Sequence, residues 1–132
     1  IEVQRSSVAA HREEPRDSIV IPSGGSATVE LDVTHEGSGS PWLDDASWAV
    51  PGVVRVGARW TDTDGAESRT PIPRMMYPGD RATVTLTLDA ATSTGVPIAP
   101  GEYTVDVGML QEGFGWFADN GDDMLTIPIT VV

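Results

Sequence analysis

The stretch Arg81-Ala82-Thr83-Val84-Thr85-Leu86-Thr87-Leu88-Asp89 decides the fold class. Ala82, Val84, Leu86 and Leu88 fall on one side of an extended chain, and Arg81, Thr83, Thr85, Thr87 and Asp89 on the other. A period of two belongs to a strand with one dry face and one wet face. Pro78-Gly79-Asp80 turns the chain into it.

The same alternation recurs on both sides. Upstream, Ala27, Val29, Leu31 and Val33 oppose Thr28, Glu30, Asp32 and Thr34, while Val54, Val56, Ala58 and Trp60 oppose Arg55, Gly57, Arg59 and Thr61. Downstream, Tyr103, Val105, Val107 and Met109 form one apolar face, and Leu125, Ile127, Ile129 and Val131 another. Ser18–Ile21 is a short apolar run stopped by Pro22-Ser23-Gly24-Gly25. Pro71, Pro73 and Pro78 confine any strand in 69–78 to a sheet edge, because proline cannot donate to a ladder. Asp62-Thr63-Asp64-Gly65 reads as a turn in which Gly65 supplies a positive φ. No segment keeps apolar residues at i, i+3, i+4 and i+7, so no substantial helix is expected.

These strands and turns predict an all-β, immunoglobulin-like antiparallel β-sandwich of about seven to nine strands. Pro100-Gly101-Glu102-Tyr103 fits the tyrosine corner of such sandwiches, and Trp60 the tryptophan of their core. The 132 residues suffice for one core and not for two. Residues 1–17 read as an N-terminal edge strand, beginning Ile1 and Val3, followed by a mobile mixed-charge connection; residues 18–132 are the sandwich domain. A start at Ile1 instead of Met suggests a domain of a longer polypeptide, and no signal peptide is read in it.

Charge and composition narrow the function classes. Twenty acidic residues against eight basic ones give a net charge of −12, which repels phosphate backbones and anionic membranes, so nucleic acid is excluded as a partner. No apolar run approaches the ~20 residues of a membrane span, so no membrane insertion by this segment is expected. With no cysteine, disulfides and thiolate metal sites are ruled out. His11 and His35 lie in predicted loops without zinc-like spacing, as solvated histidines do. No nucleophile-and-base constellation is visible, so no catalytic residue is assigned and the chain is read as no enzyme. No cofactor is assigned. An oxygen-rich loop at Asp119, Asp122 and Asp123 leaves a weak possibility of calcium, while Asp62–Pro73 lacks the terminal Glu of an EF-hand.

Aromatic residues pose the remaining question. Trp42, Trp48, Trp116 and Phe117 sit in or beside loops, where rings either close the open end of a sandwich or stack on sugar C–H faces. On the first alternative Trp116 closes the core, Phe117 points the opposite way, and Asp119-Asn120-Gly121 forms the exposed tip of the hairpin. On the second, Trp42, Trp48, Trp116 and Phe117 stack on glycan, with Asp119, Asn120 and Arg59 as hydrogen-bonding groups.

A family pattern runs through the same positions. Glu36-Gly37-Ser38 before Trp42, then Val56-Gly57-Ala58-Arg59-Trp60 with Asp62 and Gly65, resembles the opening of certain bacterial Ig-like accessory domains. Arg69-Thr70-Pro71-Ile72-Pro73, Pro78-Gly79-Asp80, Pro100-Gly101-Glu102-Tyr103 and Gln111-Glu112-Gly113 followed by Trp116-Phe117 continue it. The likeness runs from about Ser26 to Val132; 43–50 and 90–97 are enlarged relative to it. Such modules are appended to bacterial glycosyltransferases, methyltransferases and polysaccharide-assembly proteins, and are distantly like four-tryptophan Ig-like domains. The resemblance implies a non-catalytic accessory domain that binds or positions glycan for a bacterial cell-envelope polysaccharide-synthesis protein, cytoplasmic or envelope-associated. Its partner would be polysaccharide or the attached catalytic domain. The alternative is a structural or protein-interaction module that docks a catalytic domain or dimerises through a sheet edge.

Overall fold

A computed structural model of the chain describes residues 5–10, 18–37, 40–44 and 52–132. Nine strands are present among them: β1 (Ser6–Ala10), β2 (Ile19–Ile21), β3 (Ser26–His35), β4 (Val54–Trp60), β5 (Ser68–Pro71), β6 (Arg81–Asp89), β7 (Gly101–Gln111), β8 (Gly115–Trp116) and β9 (Leu125–Val131). One sheet runs β1-β3-β6 and the other β2-β9-β7-β4-β5, with β8 added to β7. The protein is an all-β, immunoglobulin-like sandwich. Its only helical element among the described residues is a 3-10 turn, Phe117–Asn120.

The alternating residues face as the period of two requires. Leu31, Val33, Val84, Leu86 and Leu88 from the three-stranded sheet meet Val54, Val56, Ala58, Val105, Val107, Met109, Ile127 and Ile129 from the other. Each such Val, Leu, Ile or Met side chain taken out of water contributes about 1.5–3 kcal/mol. Trp60 lies in this core, edge-on to Tyr103 at 5.7 Å. The Tyr103 hydroxyl donates to the Ala99 carbonyl at 2.7 Å, which is the tyrosine corner read from Pro100–Tyr103. β5 stands at a sheet edge, where its proline costs no ladder bond.

Three expectations change. The sandwich is not antiparallel throughout: β2 runs parallel to β9, with Ile19 opposite Ile129 and Ile21 opposite Val131. The N-terminal chain thus serves both sheets, β1 pairing with β3 and β2 with β9. The start expected for the N-terminal edge strand, at Ile1 and Val3, lies outside the described residues, as do 11–17, 38–39 and 45–51; Ser6–Ala10 is a strand at the edge of the three-stranded sheet. His35 is no solvated loop histidine. It ends β3 in the core, stacked on Trp42 at 4.4 Å; its Nδ1 accepts from the Gly37 N–H and its Nε2 meets the Ser40 carbonyl. Gly65 has no positive φ and is needed for space, since a Cβ there would come within 2.2 Å of the Trp60 ring.

Candidate functional site

The β7–β8 hairpin is built by a turn at 111–114. The Phe114 N–H donates to the Gln111 carbonyl at 3.0 Å, and Gly113 takes φ 85° at the third turn position, where a side chain would be strained. Two main-chain bonds moor the hairpin base: Gly52 N–H to the Glu112 carbonyl (2.7 Å) and Glu112 N–H to the Val53 carbonyl (2.9 Å). Gln111 Nε2 adds a third contact, to the Gly52 carbonyl at 3.1 Å. A moored turn with a short tip holds Phe114 out in solvent at 75% exposure.

Beyond the tip, Trp116 pairs with Leu110 and therefore shares its outward face. The indole lies across β7 and β4 over a gap left by Gly57. A Cβ on Gly57 would stand 2.4 Å from Trp116 Cη2 and 2.5 Å from Leu110 Cδ2. Opposite Gly57 on β7 is Gly108, and Met124 fills the space above that residue. The Arg59 guanidinium lies 4.8 Å from the Trp116 ring centroid, with Nη2 3.6 Å from Met124 Sδ. Two glycines have made a trough in an otherwise polar outer face, and a tryptophan and a methionine occupy it.

Charge gathers at the rim. Arg69 Nη1 contacts both Glu112 carboxylate oxygens, at 2.7 and 2.8 Å, and its Nε donates to Glu67 at 2.7 Å. Arg55 Nη1 approaches Glu112 at 3.7 Å. The hydrogen bond to Glu67 holds the Arg69 guanidinium above the ordinary arginine value; Glu112 adds to this and partial burial opposes it. Arg69, Leu110–Gly115 and Trp116 enclose an open pocket of about 220 Å³. That is below the ~300–1,000 Å³ of usual ligand sites, so it suits a single ring or side chain.

The seven residues assigned to glycan divide three ways. Arg59, Trp116 and Asp119 gather around the hairpin, the Asp119 carboxylate lying beside Gly115. Trp42 and Phe117 do not join them. They are 1% and 3% exposed and meet edge to face at 5.6 Å inside the core, and Trp42 exchanges main-chain bonds with Met76. Stacking on a sugar needs a free ring face, which neither offers. The expected arrangement of neighbours is reversed: Phe117 closes the core and Trp116 lies outside, because the β8 register sets Trp116 beside outward Leu110. The Trp48 ring and the Asn120 side chain lie outside the described residues. Asp119 and Gly121 are exposed, as expected of a tip, but they belong to the 3-10 turn that Gly121 closes, and the β7–β8 hairpin has its exposed tip at Gly113-Phe114.

Phe114, Arg69 and Glu112 belong to the site without any sequence motif that marks them as such. The usable signal for Phe114 was its place between two glycines; nothing local links residue 69 to residue 112. In the acidic loop, Asp122 and the Gly121 carbonyl meet the N-terminal strand and the Arg5 before it. Asp122 accepts from the Ser6 N–H at 3.2 Å and from the Ser6 hydroxyl, and Arg5 reaches the Gly121 carbonyl at 3.3 Å. Among the described residues no three His, Cys, Asp or Glu side chains converge as metal ligands, and no helix is long and apolar enough to cross a membrane.

No protein-family model and no curated protein matches the chain. Solved structures match its fold. The solution structure of a CARDB domain from Pyrococcus furiosus is 15% identical with a TM-score of 0.50, covering 99% of this chain and 95% of that one. A crystal structure of that domain in complex with di-metal ions gives 13%, 0.49, 99% and 94%. A Listeria innocua β-glucosidase in complex with glucose gives 13% and 0.47, with 97% of this chain aligned to 16% of the enzyme. The likeness is one of fold: this chain has the length of the CARDB domain in the solution structure.

Proposed function

We propose that this domain is a non-catalytic accessory module that binds neutral glycan at the β7–β8 hairpin, for an attached protein of bacterial cell-envelope polysaccharide synthesis. The observation that carries the reading is a ring at 75% exposure, Phe114, beside a pocket bordered by Trp116 and the Arg69–Glu112 pair. An apolar ring takes the C–H face of a pyranose, while fixed carboxylate and guanidinium groups bond its hydroxyls. A net charge of −12 opposes anionic polymers, and Arg69 is already neutralised by Glu67 and Glu112, so the favoured sugars are uncharged. The Ig-like resemblance supports the accessory role, as does the match of the whole chain to a domain-sized structure.

Titration of the ¹⁵N-labelled domain with neutral oligosaccharides tests it. Amide shifts should cluster at 111–116, at Arg69 and at 55–59, and Phe114→Ala should abolish them without changing the fold. A flat titration with a folded domain would sink the glycan reading. Phe114 favours a second reading as well. One protruding phenylalanine on a moored hairpin suits a pocket on a protein, and the hairpin would then dock the attached catalytic domain. In that case sugar titrations stay flat while Phe114→Ala weakens capture of the catalytic domain.

A further inference from the structure

β6 ends the three-stranded sheet, and no strand is paired to its outer edge among the described residues. The Asp80 carbonyl accepts from the His35 N–H, and the Ala90 N–H donates to the Gly25 carbonyl, so even-numbered residues bond toward β3. Main-chain groups alternate sides along a strand; Arg81, Thr83, Thr85, Thr87 and Asp89 therefore present theirs at the free edge. In keeping with this, the Arg81 carbonyl accepts from Arg74 Nη2 at 2.6 Å, away from β3. β5 of the other sheet comes close to β6 but pairs only with β4. The side chains of Arg81 and Asp89 are exposed, and neither has a charge partner among the described residues.

An edge of unpaired N–H and C=O groups is a template for another strand. We propose that β6 pairs antiparallel with β6 of a second copy of this chain, about a two-fold axis at Thr85. In that register Arg81 faces the second copy's Asp89, Asp89 faces its Arg81, and Thr83 and Thr87 face each other across the axis. All of these are positions whose main-chain groups point outward, so each opposed pair exchanges both of its hydrogen bonds once Arg74 gives up the Arg81 carbonyl. A slip of two residues in either direction loses both ion pairs, and the charges thus select the register. Opposite charges and threonine pairs set across a ladder are both favourable. The contact is isologous and closes at two copies, joining the two three-stranded sheets into one of six strands. One strand buries little area, so the dimer is weak and concentration-dependent. It is independent of the Phe114 hairpin, which belongs to the other sheet.

Sedimentation equilibrium over a concentration series tests this. The wild-type mass should rise toward twice that of the chain. Thr85→Pro should hold the mass at one copy with an unchanged circular-dichroism melt, because the lost N–H points to the edge and not to β3. Asp89→Arg should also give a monomer, and Arg81→Asp with Asp89→Arg should restore the dimer by reversing both pairs. A wild type that stays monomeric throughout overturns the proposal. So does a folded Thr85→Pro or Asp89→Arg variant that dimerises as the wild type does, or a folded double variant that stays monomeric.

Discussion

Substituting Gly57 by Ala tests the trough on which the candidate site rests. By itself the change should help, since fewer unfolded conformations remain; where the backbone permits it, Gly→Ala stabilises by about 0.4–1 kcal/mol. Here the new methyl would lie 2.4 Å and 2.8 Å from two Trp116 ring carbons and 2.5 Å from Leu110 Cδ2. Overpacking of this kind costs roughly 1–3 kcal/mol. If the indole swings clear, its contact with Arg59 is forfeited, at about 0.5–1 kcal/mol. The balance is a net loss of about 1–3 kcal/mol. For a chain of this size that lowers Tm by roughly 3–5 °C per kcal/mol. Urea denaturation and a thermal melt would read the loss, and a red shift of tryptophan emission would report the displaced ring. In a Trp116→Ala background the clash disappears, because Leu110 can turn into the vacated space. Gly57→Ala should then be close to neutral, a coupling of about 1 kcal/mol or more between the two positions. Strict additivity, or a Gly57→Ala domain as stable as wild type with unshifted emission, would refute the placement of Trp116 on the outer face.

Trp42→Ala should cost about 3–5 kcal/mol, removing the ring between His35 and Phe117 and leaving little of the ~5–15 kcal/mol that holds a domain of this size; a urea titration measures it. Asp122→Ala should free β1 by releasing the Ser6 N–H and hydroxyl, seen as faster hydrogen exchange at Ser6–Ala10 with the β4–β7 amides unchanged. Arg69→Met should cost under about 1 kcal/mol, since the pair is solvent-screened, while weakening glycan shifts at the hairpin. Because Glu67 and Glu112 raise the Arg69 pKa, its contribution is complete below the ordinary arginine value and is lost only as pH rises through the higher folded value. The stability difference between wild type and Arg69→Met should therefore stay flat from neutrality into the alkaline range, as urea midpoints would show.

Period-two alternation made β3, β4, β6, β7 and β9 readable residue by residue, and with them the buried partners of Leu31, Val56, Leu86 and Val107. The tyrosine corner was legible because Tyr103 bonds only four residues back, within reach of a local pattern. The site was less legible. Trp116 and Phe117 are neighbours, and alternation says only that they point opposite ways. Which one enters the core depends on whether β8 meets β7 at Leu110 or one residue away, and a slip of one residue exchanges the faces. His35 looked like a loop residue because it ends its strand; the stacked Trp42 that buries it comes from a separate bridge to Met76.

The sequence by itself therefore determined the class of fold, the inward face of each long strand and the absence of a sustained amphipathic helix, since all three follow from side-chain period along one segment. It also carried the charge that argues against nucleic acid. Tertiary structure alone decided that β2 joins β9 in parallel, that Gly57 and Gly108 lie side by side to bed Trp116, and that Arg69 meets Glu112 across a sequence separation of 43. Those outcomes depend on register between distant strands. Register is set by the summed packing of both sheets, and no local stretch of chain contains that sum.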